Sequence, residues 1–218
     1  MIRREEQIGD CRLILGDCLE VMPGLEGYDA MITDPPYGLA DKLVGGTWGK
    51  QYDGPSKVWD AKPPHASLFG LVPSIVWGGN YIGLPASRCW LVWVKRGSVP
   101  TMADCELAWT NIDANARIFE WSIAATHPER VGHPTQKPVA VMKWCLGFLP
   151  NARLILDPFM GSGTTLVAAA LLRRAAIGIE MHEPYFDIAC RRVEQAYRQA
   201  DLFRDEPRPA PPFQEVLL

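Results

Sequence analysis

Apolar residues gather in seven short runs: CRLIL (11–15), YDAMIT (28–33), CWLVWV (89–94), ELAWT (106–110), ARIFEW (116–121), ARLIL (152–156) and AAIGIE (175–180). Several are apolar throughout, the pattern of strands covered on both faces rather than half-exposed ones. Helical spacing fits 138–148, 163–174 and 185–201. In the first of these, Pro138 suits an opening turn; in the second, alanines and leucines favour helix and the closing arginines suit its C-terminal end. The last third therefore alternates helix and strand, which predicts a mostly parallel, seven-stranded α/β sheet with helices on both faces.

Two stretches depart from this scheme. Residues 38–64, rich in glycine and proline with scattered lysines and tryptophans, read as a long loop, and loops of that length are functional or mobile. The tail DEPRPAPPFQEVLL (205–218) holds four prolines, cannot continue a helix, and is expected to be extended. A length of 218 residues accommodates one well-buried domain, placed here over 1–204.

Composition narrows the class. Apolar residues make up 48% and charged residues 22%, no run is long enough for a membrane helix, and the N-terminus lacks the apolar core of a signal peptide. A cytoplasmic protein without a membrane partner is expected. The six cysteines form no C-x-x-C pair and the four histidines show no ligand spacing, so no metal site or disulfide framework is expected. A net charge of −3 offers no global attraction to polyanions, so any nucleic-acid contact must use a local face.

In LILDPFMGSGTT (154–165) a strand runs through an acid into a glycine-rich turn and then a helix. Gly161 and Gly163 let backbone approach a ligand, and the helix start offers N–H groups. No G-K-[ST] follows, so this is not a phosphate-binding P-loop, and Leu166 stands where the dinucleotide fingerprint needs its third glycine. A tight strand–helix turn alone would give the same pattern. Glu180 tips the balance toward a ligand, because a carboxylate at the tip of the next strand is where doubly wound folds grip ribose hydroxyls.

ITDPPYG (32–38) ends another apolar strand with an acid, two prolines and an aromatic. Asp34 falls at a strand's carboxyl end, where ligands sit in open α/β sheets. Pro35 and Pro36 fix two φ angles and remove two donors, leaving rigid bare carbonyls. Such a pocket suits the exocyclic amine of a nucleobase, whose lone pair is delocalised into the ring. Hydrogen bonds from the amine to a carboxylate and a fixed carbonyl would bias it toward tetrahedral geometry and offset charge developing on methyl transfer. Tyr37 would stack on the base once it is flipped out of the duplex. Alone, the motif fits a capped turn with a packing tyrosine equally well.

Together, DPPY (34–37), HPTQKP (133–138) and DPFMGSGTT (157–165) resemble the β-class DNA amino-methyltransferases that use S-adenosylmethionine, with the catalytic motif ahead of the cofactor motif. GDCLEVM (16–22) matches the same family. The resemblance covers most of residues 9–200 and implies a single Rossmann-like methyltransferase domain. It implies that Asp34 with the Pro35 carbonyl, on the Pro35–Pro36 arc, holds the target amine and that Tyr37 stacks on the base. It further implies that Asp17 and its neighbour Cys18 meet the cofactor's adenine end and that Asp157, Phe159, Gly161, Gly163 and Thr164 wall its methionine part. Glu180 would bind the ribose, and Thr135 and Lys137 would help hold the methionine end. The partner implied is DNA carrying a flipped adenine, since related N4-cytosine enzymes more often have Ser in place of Asp34.

The family's sequence-specific members carry a sizeable recognition insert before HPTQKP, whereas only residues 113–132 stand there in this chain. A short or relaxed recognition sequence is expected, or recognition by the 38–64 loop or a second subunit of a homodimer. That loop interleaves Lys42, Lys50, Lys57 and Lys62 with Trp48, Tyr52 and Trp59, as a backbone-and-stacking surface requires; a lid without base contacts is the other reading. N4-cytosine methylation, and a degenerate protein that only binds nucleic acid, are the alternatives.

Overall fold

A computed structural model describes residues 1–39, 62–98, 103–125 and 136–202 of the chain. Among the described residues nine strands form one sheet: β1 (Arg4–Ile8), β2 (Cys11–Leu15), β3 (Ala30–Thr33), β4 (Ser74–Trp77), β5 (Trp90–Arg96), β6 (Cys105–Thr110), β7 (Arg117–Ser122), β8 (Leu154–Asp157) and β9 (Ala175–Glu180). Their spatial order is β1-β2-β9-β8-β3-β4-β6-β5-β7. The block β2-β9-β8-β3-β4 is parallel throughout, and β5 and β7 also run parallel. β1 joins β2 as an antiparallel edge, and β6 lies antiparallel between β4 and β5.

All seven strands read from the apolar runs are present; the expected count of seven is corrected to nine by β1 and β4. REEQI is too charged to read as a buried strand, because β1 is an edge needing only one partner. SIVW is buried at all four positions, but Pro73 before it and Gly78 and Gly79 after it are turn signals that mask the run.

Helices α1 (Cys18–Val21), α2 (Val139–Leu146), α3 (Thr164–Leu171) and α4 (Glu183–Leu202) follow the strands, with short 3₁₀ turns at 22–24, 66–68 and 79–81. α3 is buried at seven of its eight positions, which suits a helix wedged between the sheet and two others. α4 is amphipathic: Phe186, Ala189, Cys190, Val193 and Ala196 face inward at helical spacing.

The sheet's two faces divide by the strand period of two. Leu13, Ile32, Ile75, Ile155 and Ala176 pack with α2, α3 and α4, whereas Ile14, Met31, Val76, Leu156 and Ile177 pack with α1 and the segment containing Phe69 and Ile82. All six cysteines carry free thiols, five of them buried. Among the described residues no helix is long and apolar enough to cross a membrane. Every turn leaving the carboxyl ends of the parallel block opens on one rim, and the acids singled out in the sequence lie along it.

Candidate active site

Across the rim, Asp17 follows β2, Glu180 ends β9, Asp157 ends β8 and Asp34 follows β3, so four carboxylates from distant segments share one edge. At its centre the Thr33 hydroxyl donates to Asp157 Oδ1 at 2.8 Å, tying the strand that carries the D-P-P-Y turn to the strand that carries the glycine turn. The backbone N–H of Phe159 donates to the same oxygen at 3.1 Å and bends the chain out of β8. Burial pushes the Asp157 carboxyl up to about 6, against the lowering effect of these hydrogen bonds.

The glycine turn is held from outside the segment that forms it. Gly161 and Gly163 have φ of +52° and +78°, the left-handed region that favours glycine. A Cβ on Gly163 would approach the Ala189 Cβ at 2.8 Å, so the missing side chain also lets α4 dock. From α4, Arg192 Nη1 reaches the Ser162 carbonyl at 2.7 Å, the Ser162 hydroxyl at 2.9 Å and the Thr164 hydroxyl at 3.1 Å. Thr164 is thus engaged with the arginine, and Phe159 packs beside the apolar layer under α1.

Glu180 is buried and accepts the His182 backbone N–H at 2.6 Å; burial pushes its carboxyl up to about 7. Asp17 caps α1, its side chain accepting the Leu19 N–H at 2.9 Å. The Cys18 thiol is buried, and desolvation pushes it up to about 11.

Asp34 lies in a compact polar cluster. Its Oδ1 accepts the Tyr37 hydroxyl at 2.6 Å and its Oδ2 accepts the Lys137 ammonium at 2.7 Å. Pro35 is buried and Pro36 half-buried, fixing the turn between them. The Lys137 ammonium also reaches the Tyr37 oxygen at 3.0 Å and Glu106 Oε2 at 2.8 Å, and Lys95 pairs with Glu106 Oε1. Burial raises the Asp34 carboxyl more than the lysine lowers it, and it raises the Tyr37 hydroxyl further, with Asp34 beside it. Burial alone would raise Glu106 too, but Lys137 and Lys95 outweigh it and hold that carboxyl down at about 2.

Tyr37 is positioned by aromatic and backbone neighbours. Its ring stacks on Tyr81 with centroids 5.2 Å apart and planes at 25°. Gly78, which follows β4 at φ +66°, lies against its edge.

The fold thus brings together Asp34, Tyr37, Lys137 and Asp157 and aligns Glu180 and Asp17 along the same rim. Thr135 and the loop residues Lys42, Trp48, Lys50, Tyr52, Lys57 and Trp59 lie outside the described residues. Lys137 engages Asp34, Tyr37 and Glu106, a set its motif did not foretell. Glu106, Gly78, Tyr81 and Arg192 were not singled out in the sequence. An acid opening the apolar run ELAWT and paired glycines after SIVW were the available signals, each too weak alone.

Residues 55–191 match the family model described as DNA methylase, the N6/N4 amino-methyltransferase family. The chain belongs to this family. It is 30% identical to Type II methyltransferase M.HpaI of Haemophilus parainfluenzae over 257 aligned positions, covering 93% of this chain and 80% of that one. Against Type II methyltransferase M.ScaI of Streptomyces caespitosus it is 46% identical over 67 residues, 30% of this chain and only 22% of the relative. Two solved structures share the fold. M1.HpyAVI in complex with SAM superposes with TM-score 0.55 at 24% identity, over 84% of this chain and 98% of that one. The PvuII cytosine-N4-specific DNA methyltransferase superposes with TM-score 0.52 at 16% identity, over 92% and 96%.

Proposed function

We propose that the protein transfers a methyl group from S-adenosylmethionine to the exocyclic N6 of adenine in DNA. The observation that carries this reading is the Thr33–Asp157 hydrogen bond, which sets the D-P-P-Y turn directly beside the glycine turn. An amine acceptor and a cofactor cradle then share one rim. The M.HpaI alignment is longer than this chain, so that relative carries segments absent here, which supports a short or relaxed recognition sequence.

The donor set fits the cofactor. Four carboxylates around a glycine turn would repel a pyrophosphate but suit a ligand with a sulfonium, an ammonium and a ribose diol. Glu180 would take the ribose, with Asp17 and Cys18 at the adenine end. Asp157, Phe159, Gly161, Gly163 and Thr164 would wall the methionine part, aided by Thr135. When bound, S-adenosylmethionine supplies an electrophilic methyl group.

The chain's own residues present the nucleophile. Asp34 and the Pro35 carbonyl accept the two hydrogens of the target amine and orient its nitrogen. The adjacent carboxylate offsets positive charge as the new N–C bond forms, and a proton then leaves the amine. Tyr37, fixed by Gly78 and hydrogen-bonded to Asp34, gives the flipped base a rigid face. Positioning dominates, and no covalent nucleophile is required.

The test is to incubate the protein with radiolabelled S-adenosylmethionine and duplex DNA, digest to nucleosides and identify the labelled one. Label in N6-methyladenine is expected. Label in N4-methylcytosine would overturn the adenine assignment, a reading favoured by the shared fold with the PvuII enzyme. Absence of label from every nucleoside would leave a nucleic-acid-binding protein.

A further inference from the structure

Resting on that reading, we infer that Lys137 is a removable stand-in for the target amine and that Glu106 is the site that receives it. Glu106 is therefore a positioning residue acting on Asp34 through the lysine. Three observations converge. Lys137 is only 3% exposed, yet its ammonium donates to Asp34 Oδ2 at 2.7 Å and to the Tyr37 oxygen at 3.0 Å and forms an ion pair with Glu106 Oε2 at 2.8 Å. The two carboxylates hold it at nearly equal distance, so a small displacement moves it from a shared position to one on Glu106. Its nitrogen lies 5.4 Å from the centroid of the fully buried Trp77 ring, which shelters it from water, and 5.5 Å from that of Tyr37, the ring a flipped base would meet.

A base amine donates N–H groups to Asp34 as the ammonium does, and it gains positive charge as the methyl group arrives. A full cation on the same carboxylate opposes that charge. Withdrawal toward Glu106 removes the opposition while keeping the lysine paired in a desolvated place. Lys95, on the far oxygen of Glu106, limits how strongly that carboxylate attracts Lys137 and so keeps the two positions close in energy. Before DNA arrives, the lysine neutralises Asp34; during transfer, Asp34 is released to the amine.

The test compares Glu106→Gln, Lys137→Gln and the double variant with the unmodified protein, using unmethylated genomic DNA at pH 8.5. S-adenosylmethionine affinity is measured by calorimetry, and melting curves verify folding. Glu106→Gln removes the receiving carboxylate, so the KM for DNA should rise about tenfold or more and kcat should fall, while cofactor affinity stays within about twofold. Removing the lysine as well should reverse that loss at least fivefold, because Asp34 is then unblocked. Glu106→Asp, which keeps the charge, should stay within about threefold of the unmodified protein.

If the double variant loses the product of the two single losses, the residues are merely structural and the inference fails. A tenfold loss of cofactor affinity in Lys137→Gln with an unchanged KM for DNA would assign the lysine to the cofactor instead. Should Glu106→Gln not fold, Lys137→Gln alone decides. Asp34 faces Lys137, Tyr37, Glu106 and, across β8, Asp157, with Lys95 behind Glu106. Losing its cation, the carboxylate should titrate higher and move the acid limb of the rate profile up by about one pH unit; an unmoved limb overturns the inference. An unmodified protein that labels no nucleoside would instead refute methyl transfer to DNA, and the inference with it.

Discussion

Tyr37 packs so closely on Gly78 that a Cβ at position 78 would meet ring atom Cε1 at 2.0 Å. The turn after β4 therefore sets where the aromatic face of the D-P-P-Y motif lies, although more than thirty residues separate them in sequence.

Gly78→Ala should displace the ring and strain a backbone at φ +66°. The left-handed conformation alone costs an alanine about 1–2 kcal/mol. Methyl transfer should fall at least tenfold with cofactor affinity retained, read by parallel denaturation, calorimetry and label transfer. An unchanged rate would show that ring placement does not matter.

Asp34→Ala removes the proposed amine acceptor but leaves the rim at β8 and β9 intact. Transfer should drop by about a thousandfold or more, the loss of a few kcal/mol of transition-state stabilisation, while S-adenosylmethionine still binds. Single-turnover assays at saturating cofactor give the comparison, and a near-unmodified rate would refute the assigned role.

Arg192→Ala should act on the other half of the site. The two hydrogens of one guanidinium nitrogen are shared among a carbonyl and two hydroxyls of the glycine turn, and a hydrogen bond to a charged group contributes about 1.5–3 kcal/mol. Cofactor affinity should weaken about tenfold, with a fall in melting temperature, and kcat at saturating cofactor should change less.

Glu180 and Asp157 predict the pH dependence of stability. Both have folded-state values raised, to about 7 and about 6, so the folded chain binds their protons more tightly than the unfolded chain does. Stability is then highest below the unfolded carboxylate range and falls as pH rises from about 4 to 7. Glu106, held down at about 2, contributes in the opposite sense and only at much lower pH. The cofactor-free protein should therefore melt higher at pH 5 than at pH 8, and Glu180→Gln should flatten the difference. A melting temperature that rises across that range would contradict the burial of these acids.

The central strands were legible in the sequence because each lies within a mostly apolar run of five or six residues, and the three long helices because alanine, leucine and amphipathic spacing mark them. Strands β1 and β4 were hidden for different reasons, one too polar and one hemmed in by Pro73, Gly78 and Gly79. The acids Asp34, Asp157 and Glu180 stood out because each closes an apolar run, and a carboxylate at a strand's end has few purely structural uses.

By itself, then, the sequence determined the two segments proposed to carry the chemistry: an acid, two prolines and a tyrosine in one place, and a glycine turn with its following acid in another. Local bonding and turn stereochemistry decide those features. Only the tertiary structure decided that Lys137 binds Asp34, that Glu106 and Lys95 complete the charge cluster, and that Gly78 and Arg192 hold the two turns. These pairings join residues from different strands and helices, and Coulomb and packing forces act on distance in space, which one-dimensional spacing does not encode.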